Sequence, residues 1–247
     1  MDRYWVGVTF GENLFVAVAA YNQGGTGVMT SFDGYTWTIS DFPDSVWRAV
    51  TYGNGLFVAV ALDALPIITS PDGTTWTRST CALFGDWQSI TYGGNLFVAV
   101  SSQGSNLVMT SPDGTTWTRS PTAANAKGMF AVTYGKGLFV GVLGVRTEVL
   151  TSPDGITWTS SIIPCVSCSI TTWSSITYGN GLFVALAKFA IHEQVMTSLD
   201  GITWTIRVPD NMEQWNWSQW QSVTYGQGTF VAVALDGNKN RVMTGDY

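Results

Sequence analysis

Five aspartates recur in nearly the same phrase along the chain: Asp33 in "TSFDGYTWT", Asp72 and Asp113 in "TSPDGTTWT", Asp154 in "TSPDGITWT" and Asp200 in "TSLDGITWT". Repeated carboxylates are candidates for calcium ligation or general-acid chemistry. The spacing also has a simpler use. An Asp in a tight turn accepts backbone N–H groups, and a following Gly takes the left-handed conformation. One acid at the same hairpin of every repeat is the pattern of a turn cap, so these five are read as structural.

Other reactive groups are sparse. The one histidine, His192, lies in "KFAIHEQ" and reads as a surface residue. Cys165 and Cys168 form C-V-S-C, with Cys81 alone elsewhere. A zinc site needs a second ligand pair at suitable spacing, and a redox pair normally opens a helix between strands. Neither context is present, which leaves a loop disulfide or free thiols. The four glutamates are Glu12, Glu148, Glu193 and Glu213. No paired-carboxylate signal for glycoside hydrolysis stands out among them. The expectation is a non-enzymatic chain with no cofactor and no metal.

The aromatic residues say more. Of twelve tryptophans, Trp37, Trp76, Trp117, Trp158 and Trp204 belong to the Asp phrase and are expected to pack between repeats. Trp5, Trp47, Trp87, Trp173 and Trp220 each open a second repeated phrase, where Met129 stands in the fourth copy. They read either as packing between repeats or as a set of platforms for sugar rings, since an indole combines a large apolar face with a polar edge. Trp215 and Trp217 break the pattern in "NMEQWNWSQW". In an extended segment they share one side, as a buried plug or an exposed binding patch. These seven are the candidate ligand-binding residues.

The elements that position them follow from the second phrase. It reads "VTFGENLFVAVA", "VTYGNGLFVAVA", "ITYGGNLFVAVS", "VTYGKGLFVGVL", "ITYGNGLFVALA" and "VTYGQGTFVAVA". The copies start at 8, 50, 90, 132, 176 and 223, a period of 40 to 47 residues. That falls in the range of propeller blades. Each repeat predicts four short strands: A ending in T-Y-G, B as L-F-V-A-V-A, C as V-M-T-S, and D from T-W-T. The apolar B run suits a strand covered on both faces. Gly and Asn between A and B suit a tight hairpin, and S-P-D-G suits the turn between C and D. The B–C and D–A loops are longer and differ in every copy. A meander puts A–B and C–D turns at one end and these variable loops at the other, where binding usually resides.

The sequence therefore predicts an all-β chain. It forms a six-bladed β-propeller of four-stranded antiparallel blades in a single domain, 1–247. The blades run at about 5–46, 47–86, 87–128, 129–172, 173–219 and 220–247. The sixth copy stops at "VMTGDY", so the last blade is expected to hold three strands. Its segment Arg241–Thr244 is then either a plain edge or a place where a partner strand adds.

Composition narrows the function. Of 247 residues 45% are hydrophobic and 11% charged, with a net charge of -6. A disordered chain needs the opposite balance. Eleven scattered Lys and Arg form no basic stripe, so a nucleic-acid partner is not expected. No apolar run reaches 18 residues, so no membrane span is expected. "MDRYWVGVTF" lacks the basic and long apolar segments of an ordinary secretory signal.

The S-x-D-G-x-T-W phrase resembles the Asp-box, or BNR, repeat of sialidase-like β-propellers, one residue shorter between Asp and Gly. Its pairing with Y-G-N-G-L-F-V-A-V is similar to repeats of bacterial and bacteriophage propeller proteins. The resemblance spans nearly the whole chain and implies the fold. It also implies a virion, tail or extracellular setting, with a cytoplasmic one as the alternative. Sialidases of the resembled kind use an arginine cluster, a tyrosine with a glutamate and a general acid. Arg3, Arg48, Arg78, Arg119, Arg146, Arg207 and Arg241 form no such segment near the N-terminus. The expected function is a lectin-like recognition module. It would bind a glycan or cell-surface receptor through the variable loops. The alternatives are a structural or assembly protein docking at the open sixth blade, and third a sialidase-like glycosidase.

Overall fold

The computed structural model describes residues 4–20, 27–40, 45–62, 67–79, 85–103, 108–120, 128–144, 147–164, 172–188, 195–207, 219–235 and 242–245. Every regular element among them is a β-strand. The chain divides into two compact units, Met1–Ala124 and Asn125–Tyr247, each holding three blades.

In the first unit, blade 1 is β1 (Trp5–Gly11), β2 (Leu14–Ala19), β3 (Val28–Ser31) and β4 (Thr38–Ser40). Blade 2 is β5 (Trp47–Gly53), β6 (Leu56–Ala61), β7 (Ile67–Ser70) and β8 (Thr77–Arg78). Blade 3 is β9 (Trp87–Gly93), β10 (Leu96–Ser101), β11 (Val108–Ser111) and β12 (Thr118–Arg119). In the second unit, blade 4 is β13 (Met129–Gly135), β14 (Leu138–Leu143), β15 (Glu148–Ser152) and β16 (Thr159–Ile162). Blade 5 is β17 (Trp173–Gly179), β18 (Leu182–Ala187), β19 (Val195–Ser198) and β20 (Thr205–Arg207). Blade 6 is β21 (Trp220–Gly226), β22 (Thr229–Ala234) and β23 (Val242–Gly245), with no fourth strand among the described residues. Each sheet is an antiparallel meander in chain order. The class is all-β and of propeller type, as the repeat predicts.

The A–B hairpins are built by their turn residues. Asn54 and Gly55 have φ of 48° and 74°, the paired left-handed conformation of a type I′ turn. That turn matches the right-handed twist of the strands it joins.

Period-two alternation makes the B strand two-faced. Val58 and Val60 point to one side of blade 2, Phe57, Ala59 and Ala61 to the other, and all are buried. The valine side, here named trailing, meets the first strand of the next blade. Val16, Val18 and Val28 of blade 1 pack on Trp47, Val50, Ala59 and Ile68 of blade 2. Val58, Val60 and Ile67 pack on Trp87, Ile90, Ala99 and Met109 of blade 3. Within the second unit Val140, Val142 and Val149 pack on Trp173, Ile176, Ala185 and Met196. Val184, Leu186 and Val195 pack on Trp220, Val223 and Ala232. The receiving side is the leading face.

A second device repeats at these interfaces. A Cβ built on Gly11 falls on the ring of Tyr52, and one on Gly53 falls on Tyr92. Gly135 is covered by Tyr178 and Gly179 by Tyr225 in the same manner. The T-Y-G phrase thus supplies a ring to the blade before it and a seat to the blade after it.

Candidate functional site

The uniform end of each blade is built by the Asp phrase. One carboxylate oxygen of Asp72 accepts the backbone N–H groups of Thr74 at 2.8 Å and Thr75 at 2.7 Å, and the Ser70 hydroxyl at 3.0 Å. Asp33, Asp113, Asp154 and Asp200 each accept the N–H groups two and three residues on, at 2.6 to 2.8 Å. The hydroxyl two residues before each Asp donates to the same oxygen at 2.9 to 3.0 Å. These donors stabilise the anion. They hold the Asp33 and Asp200 carboxyls down at about 2, and those of Asp72, Asp113 and Asp154 below the usual carboxylate range. An acid held ionised in this way is no proton donor near neutral pH.

The tryptophan of the phrase belongs to the turn and not to the D strand that "TWT" predicts. Trp76 Nε1 donates to the Gly73 carbonyl at 3.0 Å, and Trp204 Nε1 to that of Gly201 at 3.0 Å. That bond fixes the ring three residues from its acceptor, so strand D starts at the following Thr. Trp76 and Trp204 are buried against the preceding blade.

The other end differs from blade to blade. Each first strand carries a β-bulge directly after its opening Trp or Met. The register skips one residue between Trp47 and Ala49, Trp173 and Ser175, and Trp220 and Ser222, with equal skips in the other three blades. The extra residues are Val6, Arg48, Gln88, Phe130, Ser174 and Gln221. A bulge re-aims the side chains beside it and is common next to functional sites. These positions vary in an otherwise repetitive strand, and that variability was the signal in the sequence.

In the first unit, Gln88 Nε2 donates to the Ser102 hydroxyl at 3.0 Å. Arg48 Nε is buried with no hydrogen-bond partner among the described residues. In the second unit, the Ser174 hydroxyl donates to the Trp220 carbonyl at 2.9 Å. Lys188 Nζ approaches Gln221 Oε1 at 3.5 Å, and Gln221 Nε2 is buried without a partner. The variable end therefore presents buried donors that the described residues leave unpaired.

The candidate tryptophans separate into three cases. Trp47, Trp87, Trp173 and Trp220 are at most 1% exposed. Their rings fill the blade interfaces and offer no free face, which corrects their reading as sugar platforms. The bulge explains this: it turns the opening residue into the interface and leaves the next one aside. Trp5, which opens blade 1, is half-buried. Trp215 and Trp217 lie outside the described residues, as do His192, Cys81, Cys165, Cys168, Glu193, Glu213 and Arg241. Among the described residues no three His, Cys, Asp or Glu group into a metal-binding set.

Blade sheets in series with variable loops at one end define a β-propeller protein. Solved structures agree on the fold. YCF48 bound to D1 peptide matches at 15% identity and a TM-score of 0.70, over 100% of this chain and 78% of that one. The selenomethionine-substituted virginiamycin B lyase from Staphylococcus aureus matches at 14% identity and 0.77, over 100% and 85%. YCF48 from Cyanidioschyzon merolae matches at 14% and 0.58, over 98% and 95%. At such identities the likeness establishes the fold alone. No protein-family model and no curated protein matches the chain.

Proposed function

We propose that this chain is a non-catalytic recognition module that binds a glycan of a cell surface through its variable end, on a virion or extracellular surface. The observation that carries this reading is the contrast between the two ends. At the uniform end every motif aspartate is committed to its own turn. At the other end the bulge residues are of five types over six blades, and Arg48 and Gln221 keep buried donors in reserve. A neutral, hydroxyl-rich ligand suits a protein with so few charges. Trp215 and Trp217 supply the aromatic surface in this reading.

The test is a glycan-array and whole-cell binding screen of the purified chain beside a Trp215→Ala/Trp217→Ala double variant. Saturable binding, lost in the variant with circular dichroism unchanged, supports the reading. No binding to any glycan or cell overturns it.

A further inference from the structure

We propose that each three-blade unit holds one site for an acetamido group, at the bulges of its second and third blades, an inference that rests on the glycan-binding reading. Among the described residues, four side-chain polar atoms are buried without a hydrogen-bond partner: Trp47 Nε1, Arg48 Nε, Trp173 Nε1 and Gln221 Nε2. All four are N–H donors. All four belong to the opening residue or the bulge residue of a first strand. Trp47 and Trp173 are 1% and 0% exposed, so bulk water does not serve their indole N–H groups. A donor stranded in this way costs stability and calls for a ligand or a bound water to explain it.

The two units repeat one order. Their bulge residues read Val6, Arg48, Gln88 in the first and Phe130, Ser174, Gln221 in the second: apolar, polar, glutamine. The unpaired indoles fall on the second blade of each unit. In the second unit these residues form one group. The Ser174 hydroxyl donates to the Trp220 carbonyl at 2.9 Å, which sets the bulge of blade 5 against the opening of blade 6. The Lys188 N–H donates to the Thr172 carbonyl at 2.8 Å, beside Trp173, and Lys188 Nζ lies 3.5 Å from Gln221 Oε1. In the first unit Arg48 directly follows Trp47, and Gln88 is held by Ser102. Arg48, Gln88, Ser174 and Gln221 are half-buried, so each keeps some surface at the variable end.

Donor chemistry selects the ligand group. Four unpaired donors and no unpaired buried acceptor call for an acceptor that brings no proton of its own. A sugar hydroxyl must also place its proton, and this set offers nothing to receive it. A carboxylate would accept, but a chain of net charge -6 disfavours an anion. The carbonyl oxygen of an acetamido group is a neutral acceptor with two lone pairs, so it can take two of these N–H groups at once.

The test is a proton–nitrogen NMR titration of the full chain with chitotriose, whose sugars carry acetamido groups, beside cellotriose, whose sugars carry hydroxyls in their place. Trp47→Phe and Trp173→Phe variants identify the two indole N–H signals. Both signals are expected to shift saturably with chitotriose and to stay still with cellotriose. Arg48→Met is expected to weaken the Trp47 response about tenfold and to leave that of Trp173, and Gln221→Leu to do the reverse. Each of these two variants removes an unpaired donor and so keeps the fold, as thermal unfolding will check. The comparison of the two sugars on the wild type stands without them. Signals that stay still, a shift confined to one of the two indoles, or an equal response to cellotriose overturns the proposal. If the array shows another glycan bound while both indole signals stay still, this inference falls and the recognition reading stands. If the array and the cells show nothing bound, the recognition reading falls as well.

Discussion

The ring of Tyr92 occupies the space that a Cβ on Gly53 would take. Blade 2 and blade 3 can approach this closely because residue 53 has no side chain. The same glycine in blade 6, Gly226, has no ring upon it. Gly53→Ala is therefore expected to cost about 1–3 kcal/mol through overpacking. Gly226→Ala, at a chemically identical position, is expected to change stability by less than about 0.5 kcal/mol. Urea unfolding of the two variants measures the difference directly. Equal costs would show that the Tyr–Gly contact does not limit blade spacing.

The Asp phrase predicts a turn whose stability depends on one oxygen. Asp113 accepts Thr115 and Thr116 N–H groups at 2.8 and 2.6 Å and the Ser111 hydroxyl at 3.0 Å. Asp113→Ala leaves those donors to solvent and is expected to lose about 1–2 kcal/mol, in the range of helix-capping residues. Asp113→Asn keeps an acceptor and is expected to lose less. An alanine variant as stable as the wild type would refute the capping role.

These carboxyls also set an acid limit. Backbone N–H groups stabilise the anion in the folded state, so Asp33 and Asp200 titrate there at about 2. In an unfolded chain an Asp titrates at about 3.9. Between those values the unfolded state binds more protons, and stability falls as pH is lowered. The contribution is complete above about 4 and disappears as pH drops through about 2. Denaturation midpoints measured from pH 6 to pH 2 should be level at first and then decline below about 4. An unchanged midpoint down to pH 2 would contradict the cited shifts.

The four buried opening tryptophans are expected to govern stability. Trp87 packs with Val58, Val60, Ile67 and Ile90 in the interface of blades 2 and 3. Trp87→Ala is expected to cost about 3–5 kcal/mol, the usual loss for a large buried ring. Thermal unfolding of Trp87→Ala checks this. A small effect would mean that the ring is not part of the core.

Much of this architecture was legible because the repeat states it six times. L-F-V-A-V-A marks a strand buried on both faces, and paired left-handed residues such as Asn54 and Gly55 mark its hairpin. The S-P-D-G turn and its capping Asp could be read from residue types alone. The bulge could not. It is a single extra backbone residue, marked only by a side chain that varies where the rest of the strand repeats, and it decides whether Trp47 or Arg48 enters the interface. Residue type alone therefore leaves Trp47 readable either as packing or as a platform.

Arg48 connects the bulge to binding. Its Nε is buried and lacks a partner among the described residues, a situation that costs free energy in the unliganded protein. Replacing it with Met keeps the apolar stem and removes the stranded donor. Arg48→Met is therefore expected to leave stability unchanged or raise it by up to about 1 kcal/mol. If the variable end binds ligand through such donors, the same variant loses about tenfold or more in affinity, roughly 1.4 kcal/mol. Stability and binding would then move in opposite directions, which is the signature of a group kept for recognition rather than for folding. The measurement pairs urea midpoints with the cell-binding titration. A variant that loses stability and keeps its binding would assign Arg48 to the scaffold.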